Sequence, residues 1–131
     1  MSPAPAGLLD TSVFIARETG RPLRVDELPD QLAVSVITIG ELRAGVLAAN
    51  DVDTRDRRLA TLTAALTLDP VPVDEAVAQS WASLRIRLRD LGLRMPVNDS
   101  WIAATALALG IPVVTQDDDY VEVPGLAVVH V

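Results

Sequence analysis

The sequence predicts an α/β domain with a mostly parallel sheet, and three observations carry that expectation. Short apolar runs of strand type alternate with segments of helical period. Glycines stand where helices should stop, at Gly20, Gly92 and Gly110. Half of the 131 residues are apolar, enough for a real core, and no repeat, low-complexity tract or long linker divides the chain. One domain over residues 1–131 is therefore expected, since a chain of this size buries roughly two-thirds of its unfolded surface.

The elements follow in order. Gly7-Leu8-Leu9 reads as a short strand that stops at Asp10, and Ser12 to Glu18 as a short helix ending near Gly20. Arg21 to Pro29 is a loop with one helical turn at Val25 to Leu28. Leu32 to Ser35 is a second strand, and Thr38 to Ala49 a helix closed by Asn50-Asp51. Asp53 to Leu66 is a helix with Leu59, Leu62 and Leu66 on one face. Leu68 to Val73 carries two prolines, which places it at a sheet edge, because proline cannot donate to a ladder. Asp74 caps a helix to Leu91, whose stripe of Val77, Trp81, Leu84, Leu88 and Leu91 recurs every three or four residues. Asn98 opens a helix to Leu109, Pro112 to Thr115 is a buried strand, Asp117 to Tyr120 a loop, and Leu126 to His130 a last strand. That makes about five strands.

Composition removes several function classes. There is no cysteine, hence no disulfide framework and no thiolate metal site. The apolar runs break well before the ~18–20 residues a membrane span needs. Met1 to Gly7 has neither the charge nor the apolar run of a signal peptide. A cytoplasmic location is the resulting expectation. The net charge of −7 argues against broad, charge-driven binding to nucleic acid. A nucleic-acid enzyme is still open if its acids sit in a metal site and its arginines cluster. All eleven basic residues are arginine, whose planar fork suits phosphates and carboxylates.

Four carboxylates occupy unusual positions. Asp10 ends the first strand, Glu41 lies in the first turn after the second, Asp99 opens the helix before Gly110, and Asp117 follows the Val113-Val114-Thr115 strand. In a parallel sheet, functional groups collect outside the carboxyl ends of strands. Asp99 is the exception, since no clear strand precedes it. Ionised carboxylates brought together repel and take up protons, a penalty that a divalent cation removes. Hard cations such as Mg²⁺ prefer oxygen ligands, and such a centre orients water for attack on a phosphodiester. With no cysteine and one histidine, zinc is a poor fit. Each acid also has a plain structural reading. Thr38 to Glu41 matches a capping box. Asn98-Asp99 reads as a cap plus a dipole-favoured acid. Asp10 suits an Asx turn, and Asp117 to Asp119 a solvated loop.

The joint pattern resembles the PIN-domain ribonucleases, and within them the VapC toxins of bacterial toxin–antitoxin pairs, over nearly the whole chain. Leu8-Leu9-Asp10-Thr11-Ser12-Val13 resembles the family's first motif, and Ser35 to Leu42 its second, with Glu41 as the acid. Asn98 to Ala106 is similar to the third, with Asp99, and Val114 to Tyr120 to the fourth, where an aromatic residue closes the loop. In that last motif Asp117 is the best match, and Asp119 is able to share or replace its role. Thr11 and Thr115 match family hydroxyls that hold ligands or water; for Thr115 a buried strand threonine is an equal reading.

The resemblance implies a PIN-like α/β/α sandwich with a central parallel sheet. It implies a Mg²⁺-dependent endoribonuclease (Mn²⁺ able to substitute), with Asp10, Glu41, Asp99 and Asp117 as metal ligands and catalytic residues, acting on structured or translation-related RNA. It also implies a homodimer, a VapB-type antitoxin that occupies the active-site groove in a hetero-oligomer, and contact with operator DNA only through that antitoxin. The alternative is a non-catalytic partner-binding domain with the same fold. A haloacid-type phosphatase would want Asp-x-Asp where Asp10-Thr11-Ser12 stands, and a receiver domain would want a lysine, which the chain lacks.

The remaining singular residues read more plainly. Arg85 and Arg89 share a helix face with Arg87 to one side, and a solvated face competes with contact to RNA phosphate or antitoxin. Arg17 and Arg43 fall close in sequence to Asp10 and Glu41, where salt bridging competes with phosphate contact. Trp81 reads as core or dimer interface, and Trp101 as helix packing rather than base stacking. His130 has no acid–base partner, and Ser12 has no histidine near it for nucleophilic chemistry.

Overall fold

The computed structural model describes residues 5–120 and 123–131. Four parallel strands form one sheet: β1 (Ala6–Leu9), β2 (Gln31–Val34), β3 (Val113–Thr115) and β4 (Val128–His130), in the order β2-β1-β3-β4. Five helices connect them: α1 (Thr11–Thr19), α2 (Val36–Leu47), α3 (Val52–Leu66), α4 (Glu75–Asp90) and α5 (Val97–Leu109). A 3-10 turn, Val25–Glu27, sits in the loop before β2, where the sequence anticipates a helical turn.

Successive strand residues point to opposite faces, and the core divides accordingly. Leu8 and Val113 face one side, under Leu84 and Leu88 of α4 and Ile102, Ala103 and Ala106 of α5. Leu9 and Val114 face the other, under Val13 and Phe14 of α1 and Leu62 and Ala65 of α3. The helices thus cover both faces, as a parallel sheet requires.

The helix termini explain where the elements start. Asp51 accepts from Thr54 N–H and Asp74 from Val77 N–H, each satisfying an orphan amide. Asp51 therefore opens α3 rather than closing α2. The anticipated capping box at Thr38 is displaced, because α2 begins two residues earlier, capped by Ser35 on Ile37 N–H. Thr38 is fully buried and Glu41 is released from reaching back to the cap. Likewise α5 starts at Val97 with Pro96, not Asn98, at the cap position. Its end is as expected, on Gly110 at φ 68, a left-handed value that glycine adopts without steric cost.

The fifth anticipated strand, 68–73, contracts to a single bridge. Val71 N–H donates to Val34 O and Val71 O accepts from Val36 N–H, but Pro70 and Pro72 on either side have no amide to extend the ladder. The sheet of the described residues has four strands for that reason.

Gly7 is dictated by close approach. A Cβ there would stand 2.7 Å from Val114 Cγ2 and 2.8 Å from Pro29 Cγ, in a packed core and against a rigid ring. Gly7→Ala should cost about 1–3 kcal/mol through overpacking. Urea unfolding checks it; parental stability would show that the core beneath β1 yields freely.

Candidate active site

Asp10 is built into the end of β1. Its amide donates to Val114 O at 2.8 Å, so the residue after the strand is still locked to β3. Asp10 is buried, with 2% exposure, and three donors satisfy its carboxylate. Ser12 N–H reaches Oδ2 at 3.4 Å as the α1 cap, Thr115 Oγ1 donates to Oδ2 at 3.0 Å, and Tyr120 OH donates to Oδ1 at 2.7 Å. The Asx-type cap is therefore real, and it coexists with a buried network.

Directions within that network follow from proton counting. Thr115 spends its one proton on Asp10, so the 3.2 Å contact between Ser12 Oγ and Thr115 Oγ1 has Ser12 as donor. Ser12 Oγ in turn accepts from Gln116 N–H at 3.1 Å, and Thr115 Oγ1 from Asp117 N–H at 2.9 Å. The chain of donors ends on the Asp10 carboxylate and fixes the turn that carries Asp117.

Tyr120 OH also makes a longer contact, 3.3 Å, with Asp99 Oδ1. One buried hydroxyl thus stands between the strand-end acid and the acid of the first turn of α5. Burial pushes the Asp99 carboxyl up to about 7, reinforced by the Asp10 charge and by the neighbouring Asp119. Asp117 is raised by burial, then by Asp10 and Asp119, and Arg21 offsets this only in part. The Tyr120 phenol is pushed up by burial and the Asp10 charge and stays neutral. Glu41 is held separately, by the residue after Asp10: Thr11 Oγ1 lies 2.7 Å from Glu41 Oε1 and 3.0 Å from Thr38 Oγ1. Glu41 and Asn98 line a surface depression of about 530 Å³ with Val36, Ile37, Gly40 and Ala44.

The geometry thus links Asp10 and Asp99 through Tyr120 and pins the turn that carries Asp117, while Glu41 is held by Thr11 and has no hydrogen bond to the other three acids among the described residues. Sequence reasoning passed over the hydroxyls of Ser12 and Tyr120. The motif positions were visible, but their partners lie 103 and 110 residues away, beyond any local pattern. Arg17 instead lines a depression with Phe14, Glu18 and Arg57.

The site has unmet negative charge. Among the described residues the ion pairs are Arg57–Glu18, Arg89–Asp90 and His130–Asp118, and none involves Asp10, Asp99 or Asp117. No three acidic or histidine side chains among the described residues are drawn in as a closed ligand set, and the Tyr120 hydroxyl stands between Asp10 and Asp99. Magnesium asks for less than a closed set, binding through one or two carboxylates and keeping its waters. Asp10 and Asp99, oxygen donors bridged by one hydroxyl and with no cationic partner among the ion pairs, fit such an ion.

Residues 7–126 match the PIN domain family. The chain belongs to the PIN-domain family. This PIN-domain chain is 50% identical over 132 residues to ribonuclease VapC5 of Mycobacterium tuberculosis, covering 100% of this chain and 98% of that protein. It is 48% identical over 129 residues to ribonuclease VapC4 of the same organism, covering 95% of each. Its PIN fold superposes on a crystal structure of VapBC-5, a member of the VapBC family of toxin–antitoxin systems from Mycobacterium tuberculosis, with a TM-score of 0.88 and 45% identity. That match covers 97% of this chain and 99% of the other. No helix among the described residues is long and apolar enough to cross a membrane.

Tyr120→Phe isolates the clamp. The ring keeps its place while Asp10 loses a donor and Asp99 its longer contact, so metal-free stability should fall by about 1–2 kcal/mol. Saturating Mn²⁺ should narrow that deficit, since a cation supplies the missing neutralisation. Equal melting curves with and without the hydroxyl would show that it holds nothing.

Proposed function

We propose that this PIN-domain chain, residues 1–131 acting as one domain, is a metal-dependent endoribonuclease toxin of a toxin–antitoxin pair. The observation that carries the reading is the buried Tyr120 hydroxyl shared by Asp10 and Asp99, with Asp99 raised to about 7 by burial and charge. The family membership and the ribonuclease names of the relatives support it.

Asp10, Glu41, Asp99 and Asp117 would hold Mg²⁺, with Mn²⁺ able to substitute, and Asp119 would share the work of Asp117. The bound cation supplies neutralisation and an activated water for phosphodiester hydrolysis. The protein's own part is orientation. Ser12 and Thr115 fix the Asp10 carboxylate, Tyr120 sets its spacing from Asp99, and Thr11 holds Glu41 toward the depression it shares with Asn98. The substrate is structured or translation-related RNA, cut in the cytoplasm. A VapB-type antitoxin neutralises the toxin by occupying the groove, in an assembly of toxin homodimers, and operator DNA is touched only through that antitoxin.

The test is cleavage of RNA by the purified toxin with Mg²⁺, with Mn²⁺ and with EDTA, followed by analysis of the ends. Activity that needs the metal and leaves 5′-phosphate and 3′-hydroxyl ends is expected. Undiminished cleavage in EDTA, or 2′,3′-cyclic phosphate ends, would sink the proposal.

A further inference from the structure

Four of the eleven arginines of this acidic chain fall between residues 85 and 94, and the site described above uses none of them. The other dense group is committed to the protein itself: Arg55 donates to Ala49 O, Arg58 to Gly45 O, and Arg57 approaches Glu18. Arg87 likewise donates to Pro124 O. Arg85, Arg89 and Arg94 differ. All three are exposed and line one depression of about 280 Å³ with Leu88, Leu93 and Met95. Arg89 meets only its exposed neighbour Asp90, and Arg85 and Arg94 donate to no protein acceptor among the described residues.

Arg85 is moreover held in place. Its guanidinium lies 5.3 Å over the Trp81 ring, a cation–π contact. Trp81 stacks on Trp101 with centroids 4.3 Å apart and planes 3° from parallel, and its Nε1 donates to the buried Ser100 hydroxyl. Exposed arginines usually lose much rotamer freedom on binding; one already stacked has less to lose, while its N–H edges remain free for a fork-like contact. The support belongs to the first turns of α5, where Ser100 follows Asp99, and Arg94 lies in the loop that leads into that helix. The stack that supports Arg85 thus reaches the same helix start that carries Asp99.

We propose that Arg85, Arg89 and Arg94 form an anchor for the phosphodiester backbone of the RNA substrate. Charge complementarity selects this occupant: three guanidinium groups without internal carboxylate partners of their own, apart from Asp90, on a chain of net charge −7. The site acids would repel RNA without such a counterweight, and the anchor supplies it. The inference rests on the ribonuclease reading above.

The test uses the purified, antitoxin-free full chain carrying Asp10→Asn, with Mg²⁺ present, and labelled unfractionated tRNA as probe. Dissociation constants are measured against salt for this parent, for Arg85→Gln with Arg94→Gln, and for Arg85→Lys. The double variant should bind about 10-fold more weakly and show a log–log salt slope shallower by about 2, one per lost phosphate contact. Arg85→Lys should fall between, keeping charge but losing the planar stack. Both positions are exposed, so melting temperature should move by no more than the loss of the Arg85–Trp81 stack accounts for. An unchanged constant and slope would overturn the anchor alone, as would a loss confined to antitoxin binding measured by calorimetry. A parent that binds no RNA at all would overturn both the anchor and the reading beneath it.

Discussion

Asp10→Asn should lower RNA cleavage by at least ~10³-fold, equivalent to about 4 kcal/mol of transition-state stabilisation, with the fold intact. Asparagine keeps one oxygen to cap α1 and to accept from Thr115, so the local structure has little reason to move. The amide nitrogen would then face Tyr120, whose hydroxyl can turn from donor to acceptor. What the variant lacks is the charge at the end of β1, the most deeply buried of the acids. Calorimetry with Mn²⁺ should show weakened binding, and circular dichroism a parental spectrum. Cleavage at the parental rate by the purified variant would remove Asp10 from the chemistry.

Asp99→Asn should separate stability from activity. Cleavage is expected to fall by ~10²–10³-fold, yet the metal-free protein should become more stable at pH 8. The sign follows from proton binding. Asp99 has an ordinary carboxyl value of 3.8 when unfolded and about 7 in the native state. Between those values the native state holds a proton that the unfolded chain has released, so stability falls as pH rises from about 4 to about 7 and is flat above. The group is partly exposed, so solvent screening reduces the effect to about 1 kcal/mol. Urea unfolding in EDTA at pH 5 and pH 8 measures it: the parent should lose stability between the two, and the variant should lose less. Parallel pH profiles for both would show that Asp99 carries no such strain. Adding Mn²⁺ at pH 8 should restore the parent more than the variant.

These expectations depend on which features are local and which are not. The order of elements, the helix that opens on Asp74 and the stop at Gly110 follow from side chains within a few residues of one another. So does the candidacy of Asp10, Asp99 and Asp117, since a strand end or a helix start is a pattern along the chain. The sequence also shows the acids' family motifs in order, and with them the expectation of a PIN domain.

Only the tertiary structure decided how those positions interact. The order β2-β1-β3-β4 sets β1 against β3, and this alone brings Thr115 to Asp10 across 105 residues. Ser35 outcompeted Thr38 as cap because β2 and the Val71 bridge fix where the chain leaves the sheet, freeing Glu41 to meet Thr11. The fifth strand was curtailed by two prolines whose effect depended on which amides had partners. The Tyr120 hydroxyl and the Trp81–Trp101 support of Arg85 arise from packing between distant segments. Hydrophobic period and capping are properties of neighbours; a shared proton or a stacked ring is a property of whatever the fold sets face to face.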